Sequence, residues 1–307
     1  MSPRIKNVPG AAEGILVLDK PAGMTSHDCV NKIRRIFNTK RVGHCGTLDP
    51  LATGVLVVCL GQATRIVEYL TATEKIYTST AEFGRTTDSQ DRTGTTLTTT
   101  STINLTRSDL EDALLPFRGD ILQMPPMVSA LHHEGQRLYD LARQGIEVDR
   151  DARPITIDEL TLLSFEAGES ATATFRIRCS TGTYIRTIIH DIGDVLKVGG
   201  VMTELRRNSV GNFDLGTAHT LEELNELTDQ VALRSLLVPM TSALADWEQL
   251  TLTASEESDI RLGRQIPAVT IYPDGSRLLL VSSSGNPVAL AKAIDAQIAP
   301  FKVFSEL

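Results

Sequence analysis

The octapeptide GVLVVCLG, residues 54–61, is apolar from end to end. A run with no polar residue at alternate positions offers no face to water, so it reads as a buried strand that the rest of the chain must cover. GILVLDK (14–20) reads as a second short buried strand, ended by Pro21, which cannot join a ladder. Between them TSHDCVNKIRRIF predicts a helix with Ser26 as N-cap. Its inner face would be Val30, Ile33 and Phe37, with Lys32, Arg34 and Arg35 off it. ATRIVEYL (63–70) predicts another helix, and KIYTSTAEFG (75–84) alternates as a half-buried strand does. The Ser- and Thr-rich stretch 85–106 reads as a loop or loose hairpin, with Thr106 capping a helix over RSDLEDALLPF.

Residues 123–154 mix a proline turn, a polar loop and one short helix around LYDLARQG, and look like an excursion from the core. ITIDELTLLSF and ATATFRIRCS read as paired strands, and TYIRTIIHDIGDVL, TLEELNEL and ALRSLLVPM as helices. Strands pair and helices cover them without regular alternation, which predicts an α+β core around a mixed, mostly antiparallel sheet. From about Gln249 the pattern changes to short strands and turns, which predicts a separate small β-rich domain.

Composition narrows the function classes. With 41% hydrophobic and 22% charged residues in 307, the chain reads as a soluble globular protein of one large and one small domain. No apolar run approaches the roughly 18 residues that span a bilayer, and MSPRIKNVPGAAEG lacks the apolar core of a signal peptide, so a cytoplasmic protein is expected. Cys29, Cys45, Cys59 and Cys179 form no C-x-x-C pair and read as buried free thiols. His44-Cys45 is too isolated to suggest zinc. The net charge of −8 does not exclude a nucleic-acid partner, because it is unevenly spread. Residues 1–50 hold eight Lys and Arg against four Asp and Glu, whereas 214–259 hold ten acidic residues and one Arg. A polyanion responds to local charge.

No phosphate-binding loop, dinucleotide fingerprint, H-E-x-x-H, G-x-S-x-G or EF-hand pattern is present, which leaves a site without metal or cofactor as the simplest enzyme hypothesis. Asp88 and Asp91 in TTDSQDRTG read as turn residues. Asp49, in GHCGTLDPLATG, has two readings: a turn former ahead of Pro50, or a carboxylate held for chemistry. Pro50 forces Asp49 into an extended conformation, and Gly43, Gly46 and Gly54 keep the approach free of bulk. In STGTYIRTIIHD, Tyr184 and Arg186 open a helix; Arg186 is either exposed or placed to pair with a carboxylate. Tyr77 is a sheet residue that could also stack on a nucleobase, and Lys20 is a solvated strand end or a phosphate contact. His27, His132, His133, His190 and His219 carry no spacing signal.

Together these segments resemble the TruB tRNA pseudouridine synthase family, in its bacterial stand-alone type. GILVLDKPAGMTS is similar to the family's first motif, RVGHCGTLDPLATGVLVVCLGQATR to its catalytic motif, and KIYTSTAEFGRTTDSQDRTG to the segment carrying its active-site tyrosine. PPMVSALHHEGQRLYDLARQGIEVDRDARP resembles its RNA-gripping insertion, and CSTGTYIRTIIHDIG and ELRRNSVGNF its last core motifs. Cys45 stands where a small Thr or Ala is expected, a change conservative in size.

The resemblance implies a pseudouridine synthase catalytic core over 1–247, with an insertion at about 123–154, and a PUA-like C-terminal domain over 248–307. It implies that Asp49 is the catalytic aspartate, paired with Arg186, and that Tyr77 stacks on the flipped uracil. His44 would insert where the base leaves, Tyr184 and Leu205 would line the pocket, and Lys20 would support it. The partner would be the T-arm stem-loop of tRNA, met by a monomer with no cofactor, no metal and no membrane. The reaction breaks the N1–C1′ bond and joins C5 to C1′, so one ionised carboxylate could act as nucleophile or base. Alternatives are an rRNA-modifying or guide-RNA-dependent pseudouridine synthase, or a tRNA-folding chaperone that needs no catalysis.

Overall fold

The computed structural model describes residues 12–129, 132–133 and 135–305. Its centre is a nine-stranded sheet made of β1 (Gly14–Lys20), β2 (Val42–Cys45), β3 (Thr53–Leu60), β4 (Lys75–Phe83), β5 (Gly119–Gln123), β6 (Arg153–Glu166), β7 (Thr172–Cys179), β8 (Gly200–Val210) and β9 (Phe213–Asp214). In space the strands run β1-β3-β8-β4-β7-β6-β5, with β2 added to β3 and β9 to β8. Only β3 and β8 pair in parallel, so the expected mixed, mostly antiparallel α+β sheet is present.

The apolar octapeptide is buried on both faces because both are covered. Leu56, Val58 and Leu60 lie with Leu16 and Leu18 under helix α1 (Ser26–Ile36), which contributes Cys29, Val30 and Ile33. Val55, Val57 and Cys59 lie with Ile15 and Val17 against Ala63, Ile66 and Leu70 on the other face. Helix α2 (Ile185–Val195) packs chiefly on β8 and also on β4, and its Ile185, Ile188, Ile189 and Ile192 share one buried cluster with residues of β4, β6, β7 and β8. All four cysteines are buried and free, and Cys45 and Cys59 bring their Sγ atoms to 3.6 Å. No helix among the described residues is long and apolar enough to cross a membrane.

A second, five-stranded sheet begins at Glu248 and ends at Val303. The expected strands and turns there are joined by a helix, Ala254–Arg261, opened by a capping box between Thr253 and Glu256. This sheet is not detached: Leu279, Val281, Leu290 and Phe304 share one buried cluster with Ile15, Val17 and Val57 of the central sheet.

Two local expectations are corrected. Thr25, not Ser26, caps α1, exchanging hydrogen bonds with Asp28 in a capping box. The helix predicted through Phe37 stops at Ile36, with Phe37 as its C-cap and Asn38 at a left-handed φ of 45°.

The topology has one consequence for the site. β3 shares its inner edge between two partners: Thr53 and Gly54 pair with Arg206 and Arg207 of β8, while Val57 to Leu60 pair with β2. The sheet forks there, and the β2–β3 connection, with Asp49 in it, lies at the fork.

Candidate active site

Asp49 is a turn former and an aimed carboxylate at once. The Ala52 N–H donates to the Asp49 carbonyl at 3.1 Å, closing a β-turn with Asp at its first and Pro at its second position. Three buried side chains hold this turn by its backbone. Ser26, displaced from the cap, uses its hydroxyl to accept from the Leu48 N–H at 2.9 Å and donate to the Leu48 carbonyl at 3.1 Å. Lys20 is 0% exposed and donates to the carbonyls of Ala52 at 2.7 Å, Pro21 at 2.9 Å and Pro50 at 3.4 Å. It is neither a solvated strand end nor open to a phosphate; burial pulls its ammonium below the usual lysine range. Arg207 donates to the carbonyls of Val55 at 2.7 Å and Gly46 at 2.9 Å.

Arg186 reaches the same place from α2. Gln123 grips the backbone of Tyr184, accepting from its N–H at 2.8 Å and donating to its carbonyl at 3.0 Å. That fixes the start of α2 and sends the Arg186 guanidinium to 3.2 Å from Asp49 Oδ2. The same Nη1 lies 3.5 Å from Asp91 Oδ2, and Nη2 donates to the Val128 carbonyl. The side chains of Arg186 and Asp91 are 6% and 4% exposed, whereas that of Asp49 is 37% exposed. A buried cation thus bridges one buried carboxylate and one open to solvent. Of the two carboxylates, only Asp49 presents a free edge to solvent.

Asp91 was read from sequence as a turn residue. It does accept from Ser89 Oγ at 2.8 Å and the Thr93 N–H at 2.8 Å, as a turn former would, but its other oxygen faces Arg186. The loop that carries it is stitched to β8 by bonds from Arg92 N–H to Met202 and from Met202 N–H to Gln90. Asp88, by contrast, accepts from the Thr95 N–H and stays local.

The remaining residues expected at the site gather nearby. Tyr77, Leu205, Leu48 and Ala52 belong to one buried cluster under α2. Tyr77 sits on β4 opposite Arg207 of β8, and burial pushes its phenol up, so it is neutral. Tyr184 is half-buried, with its ring centroid 5.9 Å from the Arg186 guanidinium carbon. His44, half-buried on β2, has its Nδ1 buried without a partner among the described residues. Burial first, and Arg207 second, pull its imidazole below the ordinary histidine range, so it is uncharged at neutral pH. A groove of about 560 Å³ lined by Leu105, Asp109, Asp112, Ala113, Val195 and Val198 holds none of these residues. Depth does not mark this site; its groups stand at an open fork of the sheet.

Comparison with known proteins gives a consistent result. The family model described as TruB family pseudouridylate synthase, N-terminal domain, matches residues 34–185, and that of the tRNA pseudouridylate synthase B C-terminal domain matches 186–245. The chain is 42% identical to the tRNA pseudouridine synthase B of Solibacter usitatus (strain Ellin6076) over 92% of its length and 96% of the relative's. It is 46% identical to that of Syntrophotalea carbinolica (strain DSM 2380 / NBRC 103641 / GraBd1) over 91% of both chains. Among solved structures it is similar to a chain of the archaeal box H/ACA sRNP Nop10-Cbf5 complex, with a TM-score of 0.70, 26% identity, and 97% of this chain and 88% of that one covered.

Proposed function

The chain belongs to the TruB family of tRNA pseudouridine synthases, which are isomerases, and from that premise we infer that it converts the T-loop uridine of tRNA to pseudouridine with Asp49 as the reacting carboxylate. The observation that carries this reading is the Asp49–Arg186–Asp91 bridge, in which the one solvent-open carboxylate is held beside a buried guanidinium. In the reaction the N1–C1′ bond breaks, the uracil turns, C5 bonds to C1′, and a proton leaves C5 while N1 gains one. No atom is added. The Asp49 carboxylate, placed beside the ribose, supplies the nucleophile or base that the exchange needs.

A stacked T-loop base must first be extruded, at a cost of a few kcal/mol. The neutral His44 takes the place it leaves, where a charged imidazole would lose hydration. Tyr77 stacks on the extruded uracil, Tyr184 and Leu205 line the pocket, and Lys20 supports it from below. The 123–154 insertion grips the stem-loop, and its Val128 carbonyl already meets Arg186. The division into a catalytic unit over 1–247 and a small unit over 248–307 is supported by the second sheet starting at Glu248. The working form in this reading is a monomer. The much higher identity to the tRNA enzymes than to the box H/ACA component favours tRNA over guide-RNA-dependent substrates.

The test is carbodiimide labelling of pseudouridine after reaction with a T-arm stem-loop and, separately, an rRNA fragment. One modified uridine in the T-loop and none in the fragment is the expected result. No product on the stem-loop would overturn the reading.

A further inference from the structure

Arg207 is a charge with no evident reason to be buried. Its side chain is 1% exposed, and no carboxylate lies in ion-pair range of it among the described residues. Burying a guanidinium without a counter-charge costs several kcal/mol, which a Met or Gln of similar length would avoid. Its hydrogen bonds show where the charge is used. Nε donates to the Val55 carbonyl at 2.7 Å and Nη2 to the Gly46 carbonyl at 2.9 Å, one bond at each end of the segment that holds Asp49. Arg207 itself stands directly opposite Tyr77 on the β4–β8 ladder. Its planar fork thus ties the aspartate's loop to the strand pair that carries the tyrosine.

The surrounding backbone is shaped to let it in. The β4–β8 ladder slips register between Arg207 and Ser209, and such a bulge re-aims a side chain. Gly46 has φ +77°, and a Cβ there would stand 3.3 Å from Arg207 Nη1. Gly54, at φ +99°, would put a Cβ 2.2 Å from the Arg207 carbonyl oxygen. Gly54 is therefore needed for the close approach of the Arg207 backbone, while Gly46 is favoured by its own left-handed φ and leaves room for the guanidinium.

We propose that Arg207 is a positioning residue for the isomerisation, clamping both ends of the Asp49 loop and joining them to the strand pair that carries Tyr77. The assignment rests on the reading of Asp49 and Tyr77 given above. It goes beyond the Asp49–Arg186 pair, because Arg207 touches neither carboxylate and acts through the backbone that aims one of them. Its unneutralised charge is also felt across the site: Arg207 is among the causes that lower the pKa of His44, Lys20 and Lys75, the last to about 8 after burial as the larger cause.

Two variants separate the fork from the charge. Arg207→Lys keeps the charge and loses the fork, and Arg207→Met loses both. Each is compared with the wild-type protein for single-turnover pseudouridine formation on the T-arm stem-loop, dissociation constant for the same RNA, thermal unfolding, and the NMR titration of His44. The expected result is a rate lower by about 10-fold for Lys and about 100-fold for Met, as for misplaced catalytic groups. RNA affinity should stay within about 3-fold, since a positioning loss falls on the chemical step rather than on binding. The His44 titration should move up in Arg207→Met and stay in place in Arg207→Lys, which checks that the charge is lost in one and kept in the other; the split between rate and affinity is the response that a purely structural role would not give. Rates near wild type, equal losses of rate and affinity, or failure of both variants to fold would each overturn the assignment. A wild-type protein that binds the stem-loop and makes no pseudouridine would instead overturn the functional reading on which it rests.

Discussion

Arg186 serves two carboxylates with one guanidinium, so its removal should strike the chemistry harder than the RNA contact. In Arg186→Ala the Asp49 carboxylate loses its nearest cation and Asp91 is left buried and uncompensated. The single-turnover rate should fall by about 100-fold or more, with the dissociation constant for tRNA changed only a few-fold; equal losses measured side by side would contradict the pairing. A second residue-scale expectation concerns Asp191, whose carboxyl burial pushes up to about 6. The folded chain therefore holds that proton more tightly than the unfolded one. Asp191 thus contributes stability below about pH 4 that is lost as pH rises through about 6. Asp191→Asn should raise the melting temperature at pH 8 and change it little near pH 4, as followed by thermal denaturation across pH. The family resemblance led to the expectation that Arg186 pairs with Asp49, and the two side chains do meet. The contacts of Asp91, Gln123, Ser26 and Arg207 were not anticipated, although Asp91, Ser26 and Arg207 stand inside the same motifs, because a turn-like, capping or strand pattern does not record a partner distant in the chain.

At the scale of elements, the Asp49 loop depends on how closely β3 and β8 approach. Gly54→Ala places a methyl group against the Arg207 backbone at a positive φ. It should cost more than about 1 kcal/mol of stability and slow isomerisation beyond what the stability loss explains. A wild-type melting temperature and rate would show that the fork is not under this constraint. Strands with a plain hydropathic pattern were readable: β1 and β3 as apolar runs, β4 by alternation, β6 and β7 as a pair. β8 was not read as a strand, although it occupies the centre of the sheet. Its buried positions include Arg207, and a pattern search that expects apolar residues inward cannot see a strand that buries a guanidinium. β2 was hidden for a different reason, being four residues long between turn glycines. The cap of α1 was misplaced by one residue because Thr25 and Ser26 are equally good caps by type; the tertiary contact of Ser26 with Leu48 decides between them.

Across the whole molecule, the two sheets are joined by shared burial as well as by the chain. Leu290 of the second sheet packs in the same cluster as Ile15 and Val17 of the first, and Lys302 bridges to Glu68 and to the Arg65 carbonyl. Leu290→Ala should therefore cost about 2–5 kcal/mol and lower the melting of the entire chain in one transition. Two separated transitions, with only one displaced, would show that the sheets unfold independently. The β-rich character of the C-terminal region was legible in its short strands, but its docking onto the octapeptide's face was not, since no local pattern records which surface covers a two-sided strand. That docking completes the burial of β3, whose far end carries the loop that presents Asp49. Asp49 is proposed to be the one carboxylate that does the chemistry. The direct measurement is Asp49→Asn assayed in parallel for binding of a T-arm stem-loop and for carbodiimide-detected pseudouridine in it. Near-wild-type affinity with no detectable pseudouridine is the expected result; pseudouridine formed at the wild-type rate would contradict it.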